Sequence, residues 1–321
     1  MITVYTHVKR EEIPCDVDTD MEVLMNLKVL SEAQVEHFIE HGYVKLEEAF
    51  PREKALAVQD YVWQQVEKHG VLRDDRSTWT IPRVHLREAY DAPVFQECAT
   101  QRLADAIEDL IGRDRWAKRD RFKLDGWGWW PVNFSVGSEK PWDVPIEGWH
   151  WDGQQFRHYV DSPDQGLLLL CVFSDVGPHG GGTVVAEGSH NLIARYLQQF
   201  PHGIEHKEAL NGFKMSHPWI SELVGQDADG EHDGSRIERL MSPRTDAHGF
   251  QLRVVETTAQ AGDAFLCHPF LYHASAQNLS GIPRFMCNRT TPLKERMIFD
   301  RSDGDYSPVE LSIRQALAVS R

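Results

Sequence analysis

A block of short apolar segments between residues 122 and 290 constrains the fold of this chain more than any other feature. Each segment is rich in β-branched and aromatic residues, and Gly or Pro separates it from the next, which is typical of β-strands joined by turns. The candidate strands are residues 128–136, 148–152, 166–173, 182–187, 250–256, 263–267, 271–276 and 284–290. Eight short strands in one block predict a double-sheet jelly roll or a cupin-like barrel.

The region before this block is predicted to be mainly helical. Ser31 begins a first helix as its cap, and Gly42 is a plausible stop for it. Residues 43–46 follow as a short strand, and apolar residues at helical spacing indicate further helices at 51–70 and 93–112. We therefore predict an α+β protein with a mainly β core, a double-stranded β-helix, and N-terminal helices packed on one sheet.

We find no linker that would divide the chain, so we expect one domain over residues 1–321. Its predicted parts are a mainly helical N-terminal region (1–115), a jelly-roll core (120–292), an insert within that core (201–249) and a C-terminal tail (293–321). A short helix near residues 191–199 precedes the insert. The insert is acidic, glycine-rich and poorly periodic, and long loops of this kind inside compact domains are usually either lids over a functional site or disordered.

Composition argues against several classes of partner. The net charge of the 321-residue chain is −15, and binding to nucleic acid or to an anionic membrane needs a positive field. Five scattered cysteines without a C-x-x-C pair are typical of reduced thiols in a cytosolic enzyme. The polar first ten residues lack the apolar region of a signal peptide, and no apolar run is long enough to cross a membrane. We expect a cytoplasmic protein that binds neither nucleic acid nor a membrane.

The stretch Trp149-His150-Trp151-Asp152-Gly153 places a histidine and a carboxylate two residues apart. In an extended strand these two side chains lie on the same face, so both can bind one metal ion. With a distant histidine they form a 2-His-1-carboxylate set, the pattern of non-haem Fe(II) oxygenases. A second pair with this spacing, His206 and Glu208, lies in the irregular insert and is predicted to be a solvated loop.

The distant ligand has two candidates, His268 and His273. Because an odd number of residues separates them, they would face opposite ways on one unbroken strand. His273 carries Ser275 two residues on, which would put a hydroxyl beside the metal. We favour His273 as the ligand and interpret His268 as a structural residue that holds the turn.

Arg284 begins the last predicted strand and lies beside the apolar residues Phe285 and Met286. A strand that returns past the metal can direct a guanidinium group into the barrel. There the side chain would offer a rigid, two-pronged partner to a carboxylate.

These motifs together resemble the phytanoyl-CoA dioxygenase family, a branch of the Fe(II)- and 2-oxoglutarate-dependent oxygenases. The matching motifs are Gly42-Tyr43-Val44, His150-Trp151-Asp152, residues 181–190, Gly262-Asp263, residues 273–278 and Arg284. They span residues 31–290, and the double-stranded β-helix of the family agrees with the predicted strands. One departure is Glu187, which stands where the family usually has proline.

The resemblance also implies roles for individual residues. The implied metal ligands are His150, Asp152 and His273. The implied contacts to 2-oxoglutarate are Arg284, with Ser275 as helper, and, by position alone, Asn133 and Thr183.

The implied reaction uses Fe(II), 2-oxoglutarate and O₂. It hydroxylates an unactivated C–H bond of a small-molecule metabolite or natural product and releases succinate and CO₂. Two alternatives remain open at this point. One is a non-catalytic jelly-roll protein that binds a metal or ligand, and the other is an enzyme of the same fold that carries out desaturation or cyclisation.

Overall fold

The computed structural model describes residues 27–117, 127–226 and 234–318. Its helices are α1 (Glu32–His41), α2 (Arg52–Glu67), α3 (Pro93–Gln96), α4 (Gln101–Ile111), α5 (Ser189–Leu197), α6 (His206–Phe213), α7 (Pro218–Leu223), α8 (Arg236–Met241) and α9 (Pro308–Ala318). Its strands are β1 (Tyr43–Leu46), β2 (Arg83–Leu86), β3 (Trp130–Asn133), β4 (Leu168–Val172), β5 (Thr183–Glu187), β6 (Arg244–Thr245), β7 (Gln251–Glu256), β8 (Ala264–Cys267), β9 (His273–Ser275) and β10 (Met286–Thr290). The predicted α+β class is confirmed.

Two four-stranded antiparallel sheets form the core, with strand orders β1-β8-β4-β10 and β6-β7-β5-β9, and β2 pairs separately with β3. Alternate residues of the first sheet, such as Leu168 and Leu170, share an apolar cluster with Val185 of the second sheet. The intervening residue Leu169 belongs to a larger cluster that includes Val58 of α2. The first sheet is therefore covered on one face by the second sheet and on the other by helices.

The predicted strands agree with the structure except at residues 148–152. This segment forms no ladder, and His150 makes only a single antiparallel bridge with His273. Gly148 and Gly153 on either side have φ angles of 81° and 124°, which turn the backbone out of an extended path. The start of the predicted β block, at residue 122, lies outside the described residues.

The helical predictions hold for α1 and α2 but not for one continuous third helix. Ser31 forms the predicted capping box with Gln34, and Gly42 ends α1 in the left-handed conformation with φ of 88°. The segment predicted at 93–112 is two helices, because Thr100 leaves the helical conformation and caps α4 by accepting from the Leu103 amide.

The insert is largely ordered, so the prediction of an irregular segment was wrong for its described part. It contains α6, α7, α8 and the short β6, and several of its apolar side chains are fully buried. These include Phe213, Ile220, Leu223 and Leu240. Helices of six to eight residues contain too few turns to show a clear period in the sequence.

The C-terminal tail ends in α9, which packs against α1, α4 and α5. Within the described residues, no helix combines the length and the apolar character that crossing a membrane would require.

Candidate metal and cosubstrate site

Three predicted metal ligands, distant in sequence, lie side by side. The amide of His150 donates to the carbonyl of His273 over 3.0 Å, and the reverse hydrogen bond is 2.8 Å long. The Asp152 Oδ1 atom is 3.4 Å from His150 Nε2 and 4.0 Å from His273 Nε2. All three ligand atoms lie within 4.8 Å of one another, so they can meet at one ion.

The second ring nitrogen of each histidine is held by the backbone. His150 Nδ1 is 2.7 Å from the carbonyl oxygen of Gly148, and His273 Nδ1 is 3.0 Å from that of Leu271. A carbonyl can only accept, so each Nδ1 carries the proton and each Nε2 presents a lone pair to the site. His273 Nε2 is buried and has no hydrogen-bond partner among the described residues. This donor set fits a divalent metal ion.

The electrostatics of the triad favour an ionised carboxylate. Burial raises the pKa of Asp152, but the hydrogen bond with His150 and the charge of His273 outweigh burial, so the pKa is lowered. Burial lowers the pKa of His273 to about 4, which keeps this ring neutral at pH 7. For His150, burial also lowers the pKa, but the hydrogen bond to Asp152, the charge of Asp152 and the Gly148 carbonyl together outweigh burial, and the pKa is raised. Ionised carboxylates and neutral imidazoles are the forms that bind metals.

Two arginines converge on the hydroxyl of Ser275. Arg284 is 2% exposed; its Nε donates to the Gly181 carbonyl over 2.8 Å, and its Nη2 is 3.5 Å from Ser275 Oγ. Arg83 Nη2 donates to the same oxygen over 2.9 Å. Arg284 Nη1 and Arg83 Nε are buried without partners in the described chain. Burial, together with the charge of Arg83, lowers the pKa of Arg284 to about 9, and no described acid counteracts this.

Arg83 was not predicted from the sequence. It lies on β2, which is short and alternates polar with apolar residues, Arg83-Val84-His85-Leu86. That alternation was the available signal for a half-buried strand with a cation on one face. Its pairing with Ser275 depends on a contact between strands that are distant in sequence.

The two weaker cosubstrate candidates have different surroundings. Asn133 is fully buried, and its amide contacts only backbone: it donates to the Ala276 carbonyl over 3.2 Å and accepts from the Val136 amide over 3.0 Å. Thr183 lies at the start of β5, and its hydroxyl is 3.7 Å from Met286 Sδ. Thr183 therefore has a hydroxyl without a strong partner, whereas the Asn133 amide is already bonded.

Two other histidines, His268 and His206, were considered as metal ligands from the sequence and lie outside the triad. His268 is buried; its Nδ1 accepts from the Phe270 amide over 3.1 Å, and its ring packs against His190, with centroids 4.9 Å apart. It holds the turn, as predicted. His206, in contrast, was predicted to lie in a solvated loop with Glu208, and that was wrong: it begins α6 and is only 8% exposed. Burial of α6 against Trp151, whose ring centroid is 6.1 Å away, explains the difference.

This geometry is that of a 2-His-1-carboxylate site, and one buried cation, Arg284, and one half-buried cation, Arg83, lie near it. The family model described as phytanoyl-CoA dioxygenase (PhyH) matches residues 28–286. The chain thus belongs to the phytanoyl-CoA dioxygenase family and is an Fe(II)- and 2-oxoglutarate-dependent dioxygenase.

Solved structures of low sequence identity are also similar to this chain. EctD from S. alaskensis, in its apoform, is 17% identical, with 82% of this chain and 77% of that chain covered and a TM-score of 0.42. HygX from Streptomyces hygroscopicus, with nickel and 2-oxoglutarate bound, is 13% identical, with 81% and 86% covered and a TM-score of 0.44. A search of curated proteins gave no significant match.

Proposed function

We propose that His150, Asp152 and His273 bind one Fe(II) and that the enzyme hydroxylates a C–H bond of a small-molecule metabolite or natural product, releasing succinate and CO₂. The observation that carries this proposal is the convergence of two Nε2 lone pairs and one carboxylate within 4.8 Å. When bound there, the iron would supply the activation of O₂, while the protein supplies orientation and a dry site.

We further propose that Arg284 and Arg83 hold the distal carboxylate of 2-oxoglutarate, with the Ser275 hydroxyl between them. A buried cation is stable only when an anion or several acceptors compensate for its lost hydration. A dicarboxylate would provide this anion. Thr183 is a candidate for a further contact. Asn133 would act indirectly, because its bonds to Ala276 fix the segment that follows Ser275.

The fold proposed for this function is a single-domain double-stranded β-helix. Two facing four-stranded antiparallel sheets around a common apolar cluster support it. The insert at 201–249 would form a lid, since His206 of α6 packs against Trp151, which lies between His150 and Asp152 in the sequence. The cysteines of the described chain are buried and unpaired, in agreement with a cytoplasmic location. The net charge of −15 supports a small-molecule partner rather than nucleic acid or a membrane.

A succinate-release assay tests the reaction class. The protein would be supplied with Fe(II), ascorbate and 2-oxoglutarate and exposed to a metabolite panel, with Asp152→Ala as the inactive control. We expect succinate from the wild type alone. Metal binding without any succinate release would favour a binding protein. Product mass then separates hydroxylation, which adds one oxygen atom, from desaturation or cyclisation, which removes two hydrogen atoms.

A further inference from the structure

Three aromatic side chains form a hydrogen-bonded chain from the metal-binding segment to the insert. Trp151, which lies between two of the triad residues in sequence, donates from Nε1 to His158 Nδ1 over 3.2 Å. His158 Nε2 is 2.9 Å from His206 Nδ1. Of these three side chains, Trp151 is fully buried, His158 is 2% exposed and His206 is 8% exposed.

The chemistry of these groups fixes where each proton lies. An indole nitrogen can only donate, so His158 Nδ1 must accept. Burial lowers the pKa of His158 to about 4, so at pH 7 its ring is neutral and carries its one proton on Nε2. This Nε2–H therefore donates to His206 Nδ1. Burial also lowers the pKa of His206, and the single proton of that neutral ring must lie on Nε2.

At the His206 end of these hydrogen-bonded side chains, a donor has no acceptor. His206 Nε2 is buried and lacks a hydrogen-bond partner among the residues that the structure describes. Buried polar groups are nearly always paired, so an unpaired donor indicates a missing acceptor. The ring centroid of His206 is 6.1 Å from that of Trp151, which lies between His150 and Asp152 in the sequence, so this ring packs against the metal-binding segment. Among the described residues, however, the group of ligand atoms that lie within 4.8 Å of one another consists of the triad alone and does not include His206.

We propose that His206 Nε2–H donates a hydrogen bond to an oxygen atom of the substrate. His206 would then select substrates that carry a carbonyl, carboxylate or hydroxyl oxygen near the C–H bond that reacts. An apolar analogue would leave the buried donor unpaired, and sites of this kind reject such analogues strongly. This inference rests on the proposed function of the triad, and it assigns to the insert a specificity-determining residue.

The first test measures the proton positions directly. The protein would be labelled with ¹⁵N-histidine and loaded with Zn(II), a diamagnetic substitute for iron, and 2-oxoglutarate. Long-range ¹H–¹⁵N spectra should show His158 and His206 as neutral rings protonated on Nε2 from about pH 6.5 to 8. A proton on His206 Nδ1, or a charged ring, would overturn the proposal. Trp151→Phe should release both rings into mixed tautomers, and His158→Phe should do so for His206 if the first variant does not fold.

The second test uses pairs of metabolites, each an oxygen-bearing compound and its deoxy analogue, and follows succinate release. In the wild type, the oxygen-bearing member should have the lower KM. His206→Phe should raise that KM by about tenfold or more, whereas His206→Gln, whose amide can donate from a similar position, should raise it less than about threefold. The same KM in all three proteins would refute the role of His206.

The experiments test the proposed reaction and the role of His206 separately. If no compound stimulates the wild type, the proposed function fails, while the spectra still decide whether His206 is a locked donor. The absorbance change on anaerobic addition of Fe(II) and 2-oxoglutarate gives an independent check that each variant still assembles its metal site.

Discussion

Two clusters of charge lie along the sheet pair, and among the described residues one of them is balanced by opposite charge and the other is not. Both lie along β5. Glu187, the last residue of β5, is 1% exposed. It accepts hydrogen bonds from Arg253 Nε and, over 2.9 Å, from the Tyr43 hydroxyl. Near the first residue of β5, Arg284 and Arg83 lie together, and neither has an acidic partner among the described residues.

The difference shows how to separate a structural charge from a ligand-binding one. Burying an ion is costly, and a partner inside the chain offsets that cost whether or not a ligand is present. Glu187 has such partners, which explains how the chain accommodates it where the family usually has proline. Arg284 has only neutral acceptors, the Gly181 carbonyl and the Ser275 hydroxyl, and no acid among the described residues, so we expect an anion from outside the chain to balance its charge.

The largest effect is expected from removing the anionic member of the triad. Asp152→Ala should abolish stoichiometric Fe(II) binding in anaerobic titrations, because two neutral imidazoles leave the ion without charge compensation. His150→Ala and His273→Ala should do the same. Glu187→Gln is the matched control, since it removes a buried carboxylate that is already paired. Retained Fe(II) affinity in Asp152→Ala would move the metal to another site.

The next largest effect is expected for 2-oxoglutarate affinity in Arg284→Ala. Losing a charge-assisted pair in a partly desolvated site costs roughly 2–5 kcal/mol. At about 1.4 kcal/mol per decade, the dissociation constant should rise about 30-fold or more, with Fe(II) affinity little changed. Arg284→Lys should also weaken binding, because lysine lacks the two-pronged geometry, whereas Arg253→Lys should not. Equal affinities of Arg284→Lys and Arg253→Lys for 2-oxoglutarate would contradict the distinction between the two charge clusters.

A smaller loss of 2-oxoglutarate affinity is expected for Arg83→Ala. This side chain is less buried than Arg284 and reaches the site through one hydrogen bond to Ser275. A contribution of about 1 kcal/mol corresponds to about fivefold weaker binding. The same titration measures it. A loss as large as that of Arg284→Ala would make the two arginines equal anchors, and no loss would leave Arg284 as the sole anchor.

The smallest effect on the site, but a clear effect on stability, is expected for Glu187→Ala. The Tyr43 hydroxyl would lose its acceptor and Arg253 its partner, although the Arg253 side chain is 38% exposed and can rehydrate. The free energy of unfolding, measured with urea, should fall by about 1–3 kcal/mol. The affinity for 2-oxoglutarate should stay unchanged. Normal stability with weakened cosubstrate binding would show that the balanced cluster also serves the ligand.

Local spacing allowed much of this architecture to be predicted. The i, i+2 rule places His150 and Asp152 on one side even though their segment is bent by Gly148 and Gly153. Turn residues marked most of the strands. The pairing of His150 with His273 was not readable from spacing, and the choice of His273 over His268 depended on Ser275, which lies two residues after His273.

Other features depend on burial and on contacts between distant segments, which sequence patterns do not encode. Arg83 reaches Ser275 from another sheet. His206 resembles a surface residue in the sequence, because its neighbours Lys207 and Glu208 are polar. Only the packing of α6 shows that the ring is buried.

The reciprocal backbone hydrogen bonds between His150 and His273 have a consequence for the life cycle of the enzyme. Because backbone hydrogen bonds join these two residues independently of the metal, we expect the fold not to depend on the ion. Unlike a zinc finger, which unfolds when its ion leaves, this protein should keep its shape after iron is oxidised and lost. An enzyme molecule that has lost its iron should then bind Fe(II) again in the folded state. An inert ion should likewise exchange for iron without a refolding step.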